Sequence, residues 1–252
     1  MHWIKNIPTP IIFGHRGDSI NFPENTMAAF KSVIEKGGNA FELDTMLSAD
    51  GIPVVIHDRG LGRTTKINGN VDDFSALFLH NFDAGSYFSS KFSKEKIPLL
   101  SEVLSEFKDK ALINIELKNF HAPFDKLPKI VAEMVLEYGM ANQVIFSSFL
   151  PLSIFRIRKY LPEAKTAILC GPGLIGKILC RKCCLKISPE IVHPHFSIVS
   201  ETYLEKSINR ARMVNCWTVD DFDQVAVLIK RGITGIITND PHGVRSHLLT
   251  KA

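Results

Sequence analysis

Acidic and histidine residues with regular spacing lie early in the 252-residue chain. Glu42 and Asp44 are separated by one residue, and side chains alternate across a strand, so both carboxylates are expected on one face. Asp50-Gly51 is a strong hairpin signal, and a turn there brings His57 opposite or nearly opposite Asp44. Two oxygen ligands beside an imidazole suit a Mg²⁺ or Ca²⁺ site with an acid/base group next to it. A hairpin with solvated charges is the alternative.

A second polar set alternates with apolar residues further along the chain. Asn114, Glu116 and Lys118 occupy every second position, and only isoleucine and leucine lie between them. A strand with this pattern directs the polar trio into the protein, where a charge is costly unless it is paired or bound to a metal. Glu116 is therefore a candidate third carboxylate for the cation. A buried ion pair that only supports the fold is the alternative.

His15 and Arg16 follow a short apolar stretch, Ile11-Ile12-Phe13, where a strand is expected to end. A pair of histidines near a metal is typical of acid/base catalysis close to neutral pH, although either imidazole could instead bind the ion. Arg16 suits a phosphate as a bidentate fork, and Lys118 suits it as a point charge. Taken alone, each of these side chains is more often a surface residue, so the hypothesis depends on their proximity.

Two further features have competing interpretations. Trp217 is expected near the end of a strand, where it either fills the barrel or stacks on a ligand. Cys180, Cys183 and Cys184 lie in one basic stretch with a single C-x₂-C, which lacks the second half of a zinc site. Packing of a helix with a basic outer face is favoured there. The alternative is a weak membrane-surface contact, which would involve Ile175, Lys177, Ile178, Leu179, Arg181 and Lys182.

Strand and helix patterns alternate along most of the chain. This alternation predicts an α/β fold with a parallel sheet, and eight such strands predict a closed (β/α)₈ TIM barrel whose active site lies at the carboxyl ends of the strands. The candidate strands are 11–14, 40–45, 111–117, 143–148, 164–169, 190–193, 213–219 and 235–238, with 53–57 as an antiparallel return. Residues 60–100 are turn-rich and aromatic, which favours a small inserted subdomain within a single domain over residues 1–252.

Composition limits the classes of partner. A net charge of +4 is too small to indicate nucleic acid by itself. The sequence has neither an apolar leader nor an apolar run of the length that spans a membrane, so a cytoplasmic protein is expected. The cysteines are not arranged as a paired disulfide framework, which is compatible with a reducing compartment.

Spaced motifs over nearly the whole chain resemble the glycerophosphodiester phosphodiesterase family, within the wider group of phosphatidylinositol-phospholipase-C-like barrels. In chain order they are His15-Arg16-Gly17, Pro23-Glu24-Asn25-Thr26, Glu42-Leu43-Asp44, Val54-Val55-Ile56-His57-Asp58, Arg63-Thr64-Thr65, Phe82-Asp83-Ala84-Gly85-Ser86, Glu116-Leu117-Lys118, Trp217-Thr218-Val219 and Gly235-Ile236-Ile237-Thr238-Asn239-Asp240-Pro241. The sequence departs from the family's pattern at Asp220, where Asn is usual, and at Tyr87, where Trp is usual.

The resemblance implies hydrolysis of glycerophosphodiesters to sn-glycerol 3-phosphate and an alcohol. It implies one divalent cation, Mg²⁺ or Ca²⁺, and a small-molecule substrate. The implied roles are metal binding by Glu42, Asp44 and Glu116, acid/base catalysis by His15 and His57, phosphate binding by Arg16 and Lys118, arrangement of the metal or phosphate shell by Asn25, and glycerol contact by Trp217.

Two other functions remain open from the sequence. A lysophospholipase-D-like enzyme would keep the same catalytic residues and add an apolar channel, for which the Phe-rich insertion is a candidate lining. A non-catalytic barrel that binds glycerophosphate esters would instead be expected to lack part of the set of acids and histidines, and this chain has all of it.

Overall fold

Eight parallel strands form a closed barrel, as the sequence predicts. The computed structural model describes residues 9–178, 180 and 190–251. The strands are β1 (Ile11–Gly14), β2 (Ala40–Leu47), β3 (Pro53–Val55), β4 (Leu112–Leu117), β5 (Val144–Ser148), β6 (Lys165–Cys170), β7 (Ile191–Pro194), β8 (Met213–Cys216) and β9 (Gly235–Thr238). Parallel neighbours run from β1 through β9 and down to β4 and β2, and pairing of β1 with β2 closes the barrel. β3 pairs antiparallel with β2 outside this ring.

Helices connect successive strands and cover the barrel. They are α1 (Met27–Glu35), α2 (Gly62–Thr65), α3 (Ala76–His80), α4 (Leu100–Phe107), α5 (Leu127–Glu137), α6 (Pro151–Tyr160), α7 (Gly173–Ile178), α8 (Glu201–Ile208), α9 (Phe222–Lys230) and α10 (Pro241–Lys251). Among the residues that the structure describes, no helix is both long and apolar enough to cross a bilayer.

Several boundaries differ from the sequence prediction, which places a helix over 123–138 and a strand over 213–219, and two of them lie near the site. The helix expected from Pro123 begins only at Leu127, because the preceding residues form a loop in which Asp125 accepts hydrogen bonds from Asn119 and from the Leu127 amide. The strand expected to reach Val219 ends at Cys216. The residues beyond each boundary lie at the mouth of the barrel instead of continuing a regular element.

The interior of the barrel changes from apolar to polar along the strands. Near the amino ends it is filled by apolar residues, among them Ile11, Leu112, Ile145 and Ile191. Two and four positions after these apolar residues, several of the same strands carry polar side chains. A second core lies between the barrel and the helices, where Phe30, Phe41 and Phe107 stack on one another. The polar groups are thereby collected at the carboxyl ends of the strands.

The hairpin has the register expected from Asp50-Gly51. Thr45 pairs with Val55, and the Ile56 amide donates to the Asp44 carbonyl at 3.0 Å. His57 is therefore one residue beyond the partner of Asp44. Gly51 has φ +77°, a conformation in which side chains are strained, and a glycine is favoured at this turn.

The segment between β3 and α4, where the sequence predicts an inserted subdomain, consists mainly of turns and short helices. Leu61, Leu79 and Ile97 of this segment form a small core together with Met46 and Val54 of the β2–β3 hairpin. Phe74, Phe78 and Phe82 pack against one another, with ring centroids 4.8–6.0 Å apart. The aromatic composition of the segment thus serves its own packing.

Part of the cysteine-rich stretch is described. Cys180 is buried among the residues that pack outside the barrel, and its thiol donates a hydrogen bond to the Tyr203 hydroxyl at 2.9 Å. This burial agrees with the helix-packing interpretation for Cys180. Cys183 and Cys184 lie outside the described residues.

Candidate active site

Three carboxylates meet at the carboxyl ends of β2 and β4. The register pairs Asp44 with Glu116, and Glu42 projects inward one alternation earlier on β2. One oxygen from each acid lies within 4.8 Å of the others. Burial and the neighbouring carboxylates raise the pKa of Glu42 well above its usual value and that of Glu116 to about 7. Burial also disfavours charge on Asp44, but Arg16 and Lys118 outweigh it and lower that pKa to about 2.

Two non-glycine residues with left-handed backbone hold the acids in place. Arg16 has φ +57°, and its amide donates to Oε2 of Glu42 at 2.9 Å. Asn25 has φ +56°, and its Nδ2 donates to Oδ2 of Asp44 at 2.9 Å. Backbone in this region is costly outside glycine and concentrates at functional sites. Asn25 therefore orients one member of the acidic triad.

Gly17 completes the turn that follows β1. Its φ is +87°, and a Cβ at this position would lie 2.6 Å from the Cβ of Ala29 on α1. Only glycine satisfies both the conformation and the close approach of the helix. The tight turn leaves His15 and Arg16 facing the mouth of the barrel.

Two cationic side chains contact the acidic triad. Nε of Arg16 lies 3.3 Å from Oδ2 of Asp44, and Nζ of Lys118 lies 3.1 Å from Oε1 of Glu116 and 3.7 Å from Oδ1 of Asp44. Burial lowers the pKa of both cations, but the surrounding carboxylates reverse that effect and raise it. Arg16 and Lys118 are therefore charged, and both line the same cavity.

The orientation of His15 is fixed by a chain of hydrogen bonds to residues after β9 and β8. Nδ1 of His15 donates to Oδ1 of Asn239 at 2.7 Å. Nδ2 of Asn239 donates to Oδ2 of Asp220 at 2.6 Å, which leaves the amide oxygen for the imidazole. Burial, with the charge of Arg16, lowers the pKa of His15 to about 4. His15 is thus neutral near pH 7, with Nε2 available as an acceptor.

His57 has a carboxylate partner instead of an amide. Its Nδ1 donates to Oδ1 of Asp58 at 2.6 Å, and Nζ of Lys118 donates to its Nε2 at 3.1 Å. Asp58 also binds Nε of Arg63, on α2 of the inserted subdomain. Both guanidinium nitrogens Nη1 and Nη2 of Arg63 donate to the Glu24 carboxylate at 2.7 Å. Glu24 in turn accepts from Nη1 of Arg16 at 2.8 Å.

The cavity at the mouth of the barrel has a volume of about 210 Å³. One side is polar, and the other is formed by Phe149, Leu169 and Trp217. The rings of Phe149 and Trp217 meet edge to face at 5.5 Å, and the Trp217 indole donates to the His193 carbonyl at 2.7 Å. No phenylalanine of the described inserted subdomain lines this cavity. The apolar wall of this cavity therefore comes from the barrel and not from the insertion, in which Phe74 and Phe82 pack against the small core of that segment.

The structure brings the predicted residues together. Seven of them line the cavity, namely His15, Arg16, Glu42, His57, Glu116, Lys118 and Trp217. Asp44 and Asn25 lie directly behind the polar wall, joined to each other by their hydrogen bond.

The sequence analysis did not predict which residues hold these side chains in place. Glu24, Asp58, Arg63 and Asn239 fall within the motifs quoted above, but their partners are distant in the chain. Asp220 is among the departures from the family pattern, yet it lies one hydrogen bond from the partner of His15. Only the adjacency of Asp58 to His57 was a usable signal.

Comparison with known proteins gives a consistent result. Residues 15–242 match the model of the glycerophosphoryl diester phosphodiesterase family. A glycerophosphodiester phosphodiesterase of Caldanaerobacter subterraneus subsp. tengcongensis is 37% identical over 233 residues, which are 92% of this chain and 94% of that protein. A glycerophosphodiester phosphodiesterase of Bacillus altitudinis is 32% identical over 91% of this chain and 94% of that protein.

Solved structures agree with the sequence matches. A phosphodiesterase of Oleispira antarctica, solved in complex with the product sn-glycerol-3-phosphate, superposes with a TM-score of 0.85 at 25% identity, covering 95% of this chain and 97% of that one. A glycerophosphodiester phosphodiesterase of Thermotoga maritima superposes with a TM-score of 0.74 at 27% identity, covering 98% and 99%. The chain therefore belongs to the glycerophosphoryl diester phosphodiesterase family.

Proposed function

We propose that this phosphodiesterase cleaves glycerophosphodiesters to sn-glycerol 3-phosphate and an alcohol, using one divalent cation and two histidines. The observation that carries the proposal is the meeting of three carboxylates, with oxygens within 4.8 Å of one another, beside a cavity lined by two imidazoles and two cations. Family membership and the complete set of acids and histidines favour this enzyme over a non-catalytic binding barrel.

The acidic triad suits a hard divalent cation. Glu42, Asp44 and Glu116 offer only oxygen donors, which Mg²⁺ and Ca²⁺ prefer. The raised pKa values of Glu42 and Glu116 have two causes, burial first and then the close approach of the other carboxylates, and both disfavour ionisation without further positive charge. A cation bound there neutralises the acids and stabilises negative charge on a phosphoryl oxygen. A comparison of the activity restored by Mg²⁺ with that restored by Ca²⁺ shows which ion the site uses better.

The two histidines are suited to different proton transfers. His15 is neutral and presents Nε2, so it accepts the proton of the nucleophile, which is either water or the 2-hydroxyl of the substrate's glycerol. Asp58 holds Nδ1 of His57, so Nε2 is the atom through which His57 gives a proton to the leaving alkoxide. Before substrate binds, Nζ of Lys118 donates to Nε2 of His57. When a phosphate oxygen takes that hydrogen bond, Nε2 becomes free to carry the proton.

Arg16 and Lys118 supply the positive charge for the phosphate. Both are charged and reach the cavity, and both are already anchored by acids that keep their positions before substrate binds. Preorganised cations of this kind stabilise the charge that develops in the transition state without reorganising. Trp217 and Phe149 form the opposite wall, where the carbon atoms of the glycerol unit would lie.

The test is an assay of the purified chain for release of sn-glycerol 3-phosphate from glycerophosphocholine. We expect EDTA to abolish activity and Mg²⁺ or Ca²⁺ to restore it, with one of the two giving the higher kcat. His15→Ala and His57→Ala should each lower kcat by roughly 10²–10⁴ without changing the melting temperature. Unchanged turnover in either variant removes that histidine from the mechanism, and full activity after EDTA removes the cation.

The apolar wall supports a second candidate, hydrolysis of lysophospholipids by a lysophospholipase-D-like reaction. Phe149, Leu169 and Trp217 offer contact to the first carbons of an acyl chain attached to the glycerol unit. Comparison of kcat/KM for glycerophosphocholine and lysophosphatidylcholine, with the same metal, separates the two. A higher value for the lysophospholipid below its micellar concentration would favour the second candidate.

A further inference from the structure

Large apolar side chains project into solvent from one sector of the barrel mouth. Phe120 and Phe124 are 72% and 84% exposed, and Leu174 and Ile175 are 72% and 76% exposed. Single exposed apolar residues are common on soluble proteins, but several on neighbouring loops are not. We call this set the apolar rim, which consists of Phe120, Phe124, Phe155, Leu174, Ile175 and Ile178.

The apolar rim is continuous because its residues follow three adjacent strands, β4, β5 and β6. Nη1 of Arg156 on α6 donates to the Pro123 carbonyl at 3.0 Å, which joins the loop after β4 to the helix after β5. A Cβ on Gly171 would lie 3.9 Å from the Phe149 ring, and a Cβ on Gly176 of α7 would meet the Gly171 carbonyl oxygen at 1.7 Å. The three segments therefore form one packed surface.

This surface borders the active-site cavity. Phe149, which follows β5, and Leu169, near the end of β6, line the cavity on the side from which the apolar rim extends. A flat layer in contact with the apolar rim would therefore face the mouth of the barrel.

The charge of the same loops is basic. Lys126 follows the two phenylalanines, and Lys177 lies on α7 beside Ile178; both are exposed. The one acid of these loops, Asp125, is engaged by Nδ2 of Asn119 and the amide of Leu127. Apolar side chains with adjacent lysines are the combination that binds an anionic lipid surface, since each lysine near such a surface adds attraction.

We propose that the apolar rim docks this protein on an anionic phospholipid surface, with Phe120 and Phe124 inserted at the boundary between headgroups and acyl chains. Phosphatidylcholine, phosphatidylglycerol and related phospholipids contain a glycerophosphodiester unit, so the docked cavity faces a layer of molecules chemically related to its proposed substrate. Lys126 and Lys177 lie over the headgroups. The interaction is reversible and needs none of the catalytic residues.

The experiment is flotation of the full chain with vesicles of phosphatidylcholine alone or with about one quarter phosphatidylglycerol. We expect the wild type to float with the anionic vesicles, more weakly with the neutral ones, and less at high salt. Phe120→Ser combined with Phe124→Ser should bind at least about tenfold more weakly, because two inserted rings are lost. A Lys126→Gln and Lys177→Gln variant should lose the preference for anionic vesicles.

A matched control lies at the opposite end of the barrel. Leu136, near the end of α5, and Leu249, near the end of α10, are also exposed, and substitution of both by Ser should leave vesicle binding unchanged. Hydrolysis of water-soluble glycerophosphocholine should be equal in all variants, which separates failure of docking from failure of catalysis. The proposal is overturned if the wild type does not float or if the Phe120/Phe124 variant floats equally well. It is also overturned if the apolar rim proves to be an interface between two copies of the chain, so that the variant changes the oligomeric state and not vesicle binding.

Discussion

The two histidines of the cavity differ in the residue that each contacts with Nδ1, and we propose that this difference separates their roles. His15 meets an amide oxygen, which accepts a hydrogen bond without favouring a charged ring. His57 meets the Asp58 carboxylate, which accepts from Nδ1 and leaves Nε2 facing Lys118. The distinction depends on the orientation of the Asn239 amide, which two contacts hold: Asp220 accepts from its nitrogen, and Oγ of Ser19 donates to its oxygen at 2.9 Å.

Asp220 is therefore expected to act as a positioning residue. In Asp220→Ala the Asn239 amide loses its anchor and can turn its NH₂ group toward His15, which disfavours the tautomer with Nε2 as acceptor. We expect kcat to fall by about 10- to 100-fold with little change in KM. Asp220→Asn, the residue usual in the family, keeps an acceptor oxygen and should recover most of the kcat. Equal losses in both variants, or a loss of melting temperature that explains the effect, would contradict this role.

At the scale of elements, the inserted subdomain is tied to the site by one short helix. Arg63 on α2 links Asp58, the partner of His57, to Glu24, the partner of Arg16. Tyr87, at the second departure from the family pattern, adds a contact, because its hydroxyl accepts from the Glu24 amide at 3.0 Å. The insertion thus contacts the partners of His57 and Arg16, the groups proposed for proton transfer and phosphate binding, although its own aromatic residues do not line the cavity.

Replacement of Arg63 by Ala tests this link. We expect kcat/KM for glycerophosphocholine to fall by about tenfold or more, since two buried or half-buried carboxylates lose their shared partner. Arg59→Ala is a matched control, because Arg59 forms a comparable two-bond pair with Asp72 at 2.8 Å away from the cavity. Arg59→Ala should retain wild-type kinetics. If the two variants behave alike, the effect of Arg63 is not positional.

Much of the fold and the main site residues could be predicted from the sequence, because alternation within strands decides both. The pattern Glu42, Asp44 and the pattern Asn114, Glu116, Lys118 fixed which side chains face inward, and the observed register brings them together. Contacts between distant loops have no such local signal. Arg63 and Glu24, for example, pair across 39 positions of the chain. Helix α5 begins later than the sequence periodicity indicates, because Asp125 accepts a hydrogen bond from Asn119 in the loop before it.

At the scale of the whole molecule, the barrel interior has a polar layer beneath the acidic triad. His193 on β7 is fully buried, and its Nε2 accepts from Nδ2 of Asn215 at 3.1 Å. Burial lowers the pKa of His193 to about 3, so the folded protein keeps this imidazole neutral over most of the acid range. The unfolded chain has no such restraint and binds a proton near the ordinary value of about 6.5.

This difference makes stability depend on pH. Between about pH 6.5 and 3 the unfolded state binds more protons at His193 than the folded state, so its contribution is fully present above about pH 6.5 and decreases as the pH falls. We expect His193→Gln to lose less stability than the wild type between about pH 6.5 and 5, by about 2 kcal/mol. Urea unfolding of both proteins across this range measures the difference. Parallel pH profiles would show that His193 is not kept neutral by the fold.

The central claim is that Glu42, Asp44 and Glu116 bind one divalent cation at the mouth of the barrel. Anomalous diffraction from crystals grown with Mn²⁺, an ion with the same preference for carboxylate ligands, tests it most directly. The account predicts one strong peak per chain, about 2.0–2.4 Å from an oxygen of each of the three acids. A peak at any other site, or three acids in the same positions with no ion between them, would contradict it.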